Sequence, residues 1–310
     1  MRWAFALATR FLPNRSSAFS RHDFTQPQLF ACLVLREHQK KSYRGLEALL
    51  EDCPDWRADI GLLRTPDHNT LCRAFNRLVK PRLINRMLDQ TAAWGEERKL
   101  IQGRLKPVAL DSSMFESRHV SRHFEKRRKQ TSAEGTQKLK NHEKQAANRR
   151  RSRAVRGLPK ISLAVATASH LILAARATTG GGADQRHFEP LLFDAWRRVN
   201  VRLAVADAGY DSEANHAIAR QDMGVRSIIP PNSGRPTNKP PTSRHRRNMH
   251  LRFKRKADKA VYGQRWQVET VNSMIKRNLG SALRARTAPR RRNELLLRVI
   301  THNLMILQQE

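Results

Sequence analysis

Three acidic residues stand out in a chain that is otherwise strongly basic. Asp111 closes the apolar run KPVALD, Asp207 closes VRLAVAD, and Glu269 lies inside YGQRWQVETVNSMIK. The chemistry open to such a set is that of hard divalent cations. Mg²⁺ takes oxygen ligands and ordinarily uses one or two protein carboxylates, leaving the rest of its shell to water and phosphate oxygens. Three acids could serve two ions about 4 Å apart, one activating an attacking oxygen and the other stabilising a leaving one. Mn²⁺ is the alternative metal. Taken singly, each acid has a plainer reading. Glu269 alone would be a salt-bridged surface acid, and a lone Asp after a strand commonly forms a turn or caps a helix. Asp211 suits that second role.

The surroundings of Glu269 add to its case. At about 100° per residue along a helix, with Tyr262 set at zero, Arg265 falls near 300°, Glu269 near 340° and Lys276 near 320°. These four share one stripe about 60° wide, while Val268, Val271, Met274, Ile275 and Leu279 occupy the opposite side. The segment therefore predicts a helix that buries an apolar face and presents a phenol, a guanidinium, a carboxylate and an ammonium on the other. Gly280 is placed to end it.

Composition says what such a site would act on. Sixty Lys and Arg against 27 Asp and Glu give a net charge of +33 and a pI near 11.5. A compact enzyme for small molecules gains nothing from such self-repulsion, whereas a polyanionic partner relieves it, and nucleic acid is the first candidate. Aromatic residues are only 6% of the chain, which makes stacking on single-stranded bases a minor theme. The acids would hold the metal and their basic neighbours the phosphodiester. Cys32, Cys53 and Cys72 lie far apart, with neither a C-x-x-C pair nor zinc-ligand spacing, and read as thiols in a reducing compartment. MRWAFALATRF imitates a signal peptide until Arg10 interrupts it. With no run long enough for a membrane span, the expectation is a soluble, cytoplasmic protein.

The elements that must position these residues follow from pattern. Residues 1–26 form an N-terminal extension, and 27–100 a helical region. Within it Ser42 stands at a capping position, Pro54 closes a segment, and Asp67 or Asn69 can cap the next. In TPDHNTLCRAFNRLV, Leu71, Phe75 and Leu78 share a core face, leaving Arg73, Asn76 and Arg77 outward. A helix, a turn and a basic helix suit a major-groove reader, and a small helical bundle with solvated arginines is the other reading. From 101 to 310 strands alternate with helices. KPVALD, a hairpin around Ser169 and His170, VRLAVAD and VRSIIPP give an α/β domain with a mixed sheet. Asp111 and Asp207, at strand ends, would emerge at the carboxyl edge, where open α/β sheets place ligands. Two basic inserts interrupt this domain. Residues 115–157 hold fourteen Lys or Arg against four Glu, and 231–258 turn from proline-rich to basic. Both read as surface loops or arms that contact phosphates.

The spacing Tyr262, Arg265, Glu269, Lys276 matches the Y-x2-R-x3-E-x6-K signature, and with it the chain resembles bacterial insertion-sequence transposases of the insertion-sequence-4 type. VALDSS and VADAGYDS look like the segments bearing that family's two catalytic aspartates, and TPDHNTLCRAFNRL is similar to its amino-terminal DNA-binding region. The likeness runs from about residue 40 to the end. It implies a ribonuclease-H-like core with Asp111, Asp207 and Glu269 as catalytic, metal-binding residues, preceded by a helix-turn-helix-like region with Arg73 and Arg77 on DNA. It further implies Mg²⁺-dependent hydrolysis at the ends of a transposable element, followed by strand transfer into target DNA. Tyr262, Arg265 and Lys276 would hold the backbone of double-stranded DNA, and two copies would assemble on it. Only 61 residues separate Asp207 from Glu269, which leaves no room for the large β-rich insertion of some relatives. Two other readings remain: a metal-dependent nuclease without strand transfer, and a non-catalytic binding protein that uses only its charge.

Overall fold

The computed structural model describes residues 1–17, 19, 22–117, 158–179, 182–232, 241–254 and 258–309. Helices come first: α1 (Arg2–Phe11), α2 (Gln26–His38), α3 (Tyr43–Asp52), the short α4 (Pro54–Ala58), α5 (His68–Leu78) and α6 (Pro81–Glu97). Their starts are chemically marked. Thr25 and Gln28 form a reciprocal capping box on α2. Ser42 accepts from the Gly45 amide at α3. Of the two candidates on α5, Asp67 is the cap, taking the amides of Asn69 and Thr70. Residues 1–26 were expected as an extension, yet their first half is α1. Its Ala4, Leu7 and Ala8, at helical spacing, are buried where α1 meets α2 and α6. Trp3 meets Trp94 edge-on at 5.3 Å.

The sheet follows: β1 (Val108–Met114), β3 (Pro159–Ala166), β4 (Ile172–Thr179), β5 (Leu203–Ala206) and β6 (Arg226–Ile228), in the order β4-β3-β1-β5-β6. The β4-β3-β1 half is antiparallel and the β1-β5-β6 half parallel, so the expected mixed sheet is present. A second, minimal ladder pairs β2 (Glu116–Ser117) with β7 (Ala282–Leu283). Between strands lie α7 (Gln185–Val199) and α8 (Glu213–Ala217); α9 (Arg244–Lys254) and α10 (Lys259–Tyr262) follow β6. After a tight turn at Gly263–Arg265 come α11 (Trp266–Leu279) and the long α12 (Ala288–Gln308). Among the described residues between Asp207 and Glu269, β6 is the one strand.

Two expectations need correcting. β1 does not end at Asp111. It continues to Met114, because Ser112, Ser113 and Met114 keep their antiparallel partners on β3 after the parallel pairing with β5 has stopped at Leu110. Nor is 231–258 wholly a surface arm. Within it α9 buries Met249, its first amides are taken by Glu213, and Asp258 is bonded by Arg226 and Arg252. Two acids, Glu213 and Asp258, thus organise what reads as an unbroken basic run. The phosphate contacts expected of 118–157, 233–240 and 255–257 lie outside the described residues.

One hydrophobic core joins the helical region to the sheet. Its axis is α12, buried along most of its length against α2, α6, β3 and β4. Asn303 at its centre accepts from the Ile172 amide (2.9 Å) and donates to the Ile172 carbonyl (2.8 Å) and to Thr91 (3.0 Å). A single side chain so ties α12 to β4 and α6. Among the described residues, no helix is long and apolar enough to cross a membrane.

Candidate active site

The parallel register of β1 and β5 sets the first two acids side by side. Val108, Ala109 and Leu110 pair with Ala204, Val205 and Ala206. Asp111 and Asp207 are each the next residue along, at the line where the two strands part. Asp207 caps the turn Ala208–Tyr210 by accepting from the Gly209 amide. A Cβ at Gly209 would stand 3.1 Å from the Asp207 oxygen, so any larger residue there would require that carboxylate to give by a few tenths of an ångström.

The helix bearing Glu269 is fastened at both ends. At its start, Thr167 and His170 of the β3–β4 hairpin donate to Gln264 (3.0 Å) and Gln267 (2.5 Å). Near its finish the Lys276 ammonium lies 5.3 Å over the Phe115 ring, just past the end of β1, and Lys40 of the helical region donates to the Arg277 carbonyl at 2.8 Å. α11 thus runs alongside β1 in the same sense, with Glu269 near enough for its charge to act on Asp111. Val268, Val271, Ile275 and Leu279 are buried as the wheel predicts, with Asn272 among them and Met274 only partly covered. Gly280, at φ +101°, ends the helix. The path from Tyr262 to Lys276 is not one α-helix, however, because Gly263–Arg265 tightens into a narrower turn.

Electrostatics bind the group together. Burial pushes the Asp111 carboxyl up to about 6; the Ser112 amide and Arg265 oppose this, and the negative charges of Asp207 and Glu269 reinforce it. Arg265 Nη2 holds Glu269 at 2.5 Å, and its guanidinium lies 5.8 Å from the Tyr262 ring. Burial would lower the Arg265 pKa, but Tyr262, Glu269 and Asp111 overcome it and the net shift is upward. Burial also raises the Tyr262 phenol, against Arg265 and with Asp207 and Glu269. Asp111, Asp207, Glu269, Arg265 and Tyr262 therefore form one interacting set, with Lys276 two turns further on.

Among the described residues, no three His, Cys, Asp or Glu side chains stand close enough to enclose an ion as one group. The donor chemistry nevertheless suits a hard cation. Burial above all, reinforced by the charges of Asp207 and Glu269, makes Asp111 hold its proton more firmly than an ordinary carboxyl, and a bound cation would relieve both effects. Glu269 is half exposed and ion-paired with Arg265.

Other residues at the site carry weaker sequence signals. Tyr210 is fully buried, packed 6.1 Å from Phe188. Its phenol is raised by burial and by Asp184, Asp111 and Asp207. Its place three residues after Asp207 was the available clue. Asp211 is not a helix cap; Ser212 caps α8 instead. The Asp211 carboxylate accepts from the Asn232 amide (2.8 Å) and from Arg246 (2.9 Å), mooring α9 to the sheet. On α5, Leu71, Ala74, Phe75 and Leu78 are buried and Arg73 is exposed, but Arg77 donates to Gln26 of α2 at 3.1 Å.

None of the curated proteins matches the chain. Residues 103–304, more than half of it, match the family model described as Transposase DDE domain. The match takes in both strand aspartates, the helix of Glu269 and the mixed sheet that carries them, an arrangement consistent with a ribonuclease-H-like fold. The chain belongs to the DDE-domain transposase family.

Proposed function

We propose that this chain is a transposase of the insertion-sequence-4-like group, acting on double-stranded DNA at the ends of a mobile element. It would hydrolyse a phosphodiester there and join the freed 3′-hydroxyl to target DNA. The observations that support this reading are the matched positions of Asp111 and Asp207, each next after the last paired residues of β1 and β5, and the reach of the Asp207 and Glu269 charges to the Asp111 carboxyl. A cluster of acids on a molecule this basic would weaken DNA binding unless it had a cation to hold.

Asp111 and Asp207 would hold Mg²⁺ or Mn²⁺, as a pair of ions, with Glu269 as the third carboxylate. The metal, when bound, would supply Lewis-acid stabilisation of the negative charge that develops on the reacting phosphate. The protein's own part is placement. β1 and β5 fix the two aspartates on rigid backbone, and the β3–β4 hairpin sets the axial position of Glu269. Arg265 neutralises Glu269 and, with Tyr262 and Lys276, offers donors to the backbone next to the reacting phosphate. A guanidinium can grip a phosphate through two bonds and an ammonium acts as a point charge. Arg73 and Arg77, on α5, are the candidates for reading DNA at a distance from the cut, and two copies of the chain would bring two ends together.

Asp111→Ala tests the assignment. The variant should bind duplex DNA as well as the native protein, or slightly better, and lose Mg²⁺-dependent nicking by several orders of magnitude. Nicking at the native rate would overturn the catalytic assignment. Nicking by native protein without any joined product would instead identify a nuclease.

A further inference from the structure

The basic helix α9 stands between Asp207 and Glu269 in the chain and is held at both ends. Its first amides, those of His245 and Arg246, donate to Glu213 at 2.9 and 3.1 Å. The Arg246 guanidinium donates to Asp211 at 2.9 Å, and Asp211 lies four residues past Asp207. At the far end Phe253 meets the Tyr262 ring edge-on at 5.5 Å, and Arg252 donates to Asp258 at 2.6 Å. α9 is thereby fastened to the chain just after Asp207 and just before Glu269.

This mooring uses one side of the helix and leaves another bare. At about 100° per residue, with Arg244 set at zero, His245, Met249, Phe253 and Arg246 fall between about 100° and 200°. His245 and Met249 are buried, and Phe253 and Arg246 are partly covered. Arg247, Leu251, Arg244 and Asn248 fall between about 300° and 40°, and all four are exposed. Arg246 and Arg252 are neutralised by Asp211 and Asp258, whereas Arg244 and Arg247 have no acidic partner among the described residues. The outward face thus joins two unpaired guanidiniums to an amide and to Leu251, 44% exposed.

We propose that α9 lays this face in the major groove of duplex DNA beside the cut. An α-helix fits that groove, where arginine pairs with guanine, asparagine with adenine, and an apolar side chain with the thymine methyl. Those are the residue types on the outward face; a surface for phosphates alone would need only its cations. Glu213 already occupies the first amides of the helix, so contact with DNA falls to the side chains. The mooring gives such reading its use. Bases held on α9 would stand at a set distance from a phosphate at Asp111 and Asp207, which decides where the strand is cut. The choice of DNA as partner rests on the transposase reading.

The test uses full-length protein and a library of duplexes with a randomised segment, the bound fraction being sequenced. Native protein should enrich a short motif. Asn248→Ala with Leu251→Ala leaves the charge unchanged; it should erase the preference at about two or three adjacent positions of that motif. Arg244→Ser with Arg247→Ser should weaken binding of unselected duplex, followed by fluorescence anisotropy, by about tenfold. Arg104→Ser with Arg202→Ser removes the same charge near the end of β5 remote from Asp207 and should change that affinity by no more than about twofold. A native protein that enriches no motif, or a motif unaltered in the Asn248–Leu251 double, overturns groove reading by α9. Equal losses in the two arginine doubles overturn DNA contact at this face. Both arms read binding alone and should come out the same in Asp111→Ala protein, so a failed cleavage assignment is read separately.

Discussion

Asp111 is the residue at which function and stability oppose each other. Its carboxyl is raised to about 6 from an ordinary value near 3.8, so the folded state favours the protonated form. The associated stability is fully present below about pH 4 and is lost as pH rises through about 6. In chelator, Asp111→Asn should therefore unfold at the same denaturant concentration as native protein at pH 4. At pH 7.5 it should be the more stable by up to about 2 kcal/mol, allowing for water's access to the site. Adding Mg²⁺ should narrow that gap. A gap that is equal at both pH values, measured by urea titration, would contradict the account. Asp111 and Asp207 could be picked out in sequence because each follows an apolar run and breaks it with a charge. The continuation of β1 beyond Asp111 could not be read, since Ser112 and Ser113 look like a turn until β3 supplies their partners. Tyr210 was hidden for the converse reason: a buried tyrosine is ordinary, and only the fold reveals the acids around it.

At the scale of elements, the proposed catalytic geometry rests on how α11 is held. Thr167–Gln264 and His170–Gln267 fix its start against the hairpin, and these contacts cross 97 residues of sequence. His170→Ala and Gln267→Ala, singly and together, should form a coupled cycle. Each single change should lower the nicking rate constant severalfold at saturating Mg²⁺ and DNA, and the coupling energy should be about 1 kcal/mol. DNA affinity should move little. Additive losses, or a loss confined to affinity, would mean that the hairpin does not set the helix. The periodicity of α11 was legible because its apolar face repeats over several turns. The turn at Gly263–Arg265 and the helix α9 were not. Both have partners remote in sequence, Thr167 at Gln264 and, for the first amides of α9, Glu213 some thirty residues before it.

For the molecule as a whole, charge decides the encounter with DNA. If phosphate contacts dominate affinity, log K should fall steeply and linearly with log salt, with a slope of about −0.9 per neutralised phosphate. A nearly flat dependence in fluorescence anisotropy would remove nucleic acid as the reason for the +33 charge. Net charge was readable at once. The union of the helical region with the sheet was not, because the residues that join them, such as Asn303 with Thr91 and Ile172, look unremarkable in sequence. That union bears on how such a protein could be rebuilt. Since α12, near the tail of the chain, lies beneath α1, α2 and α6, exchanging the front helices for those of a relative, to redirect which DNA end is chosen, would succeed only if the matching tail travelled with them. A chimera spliced at residue 100 alone would leave mismatched surfaces along the molecule's own spine.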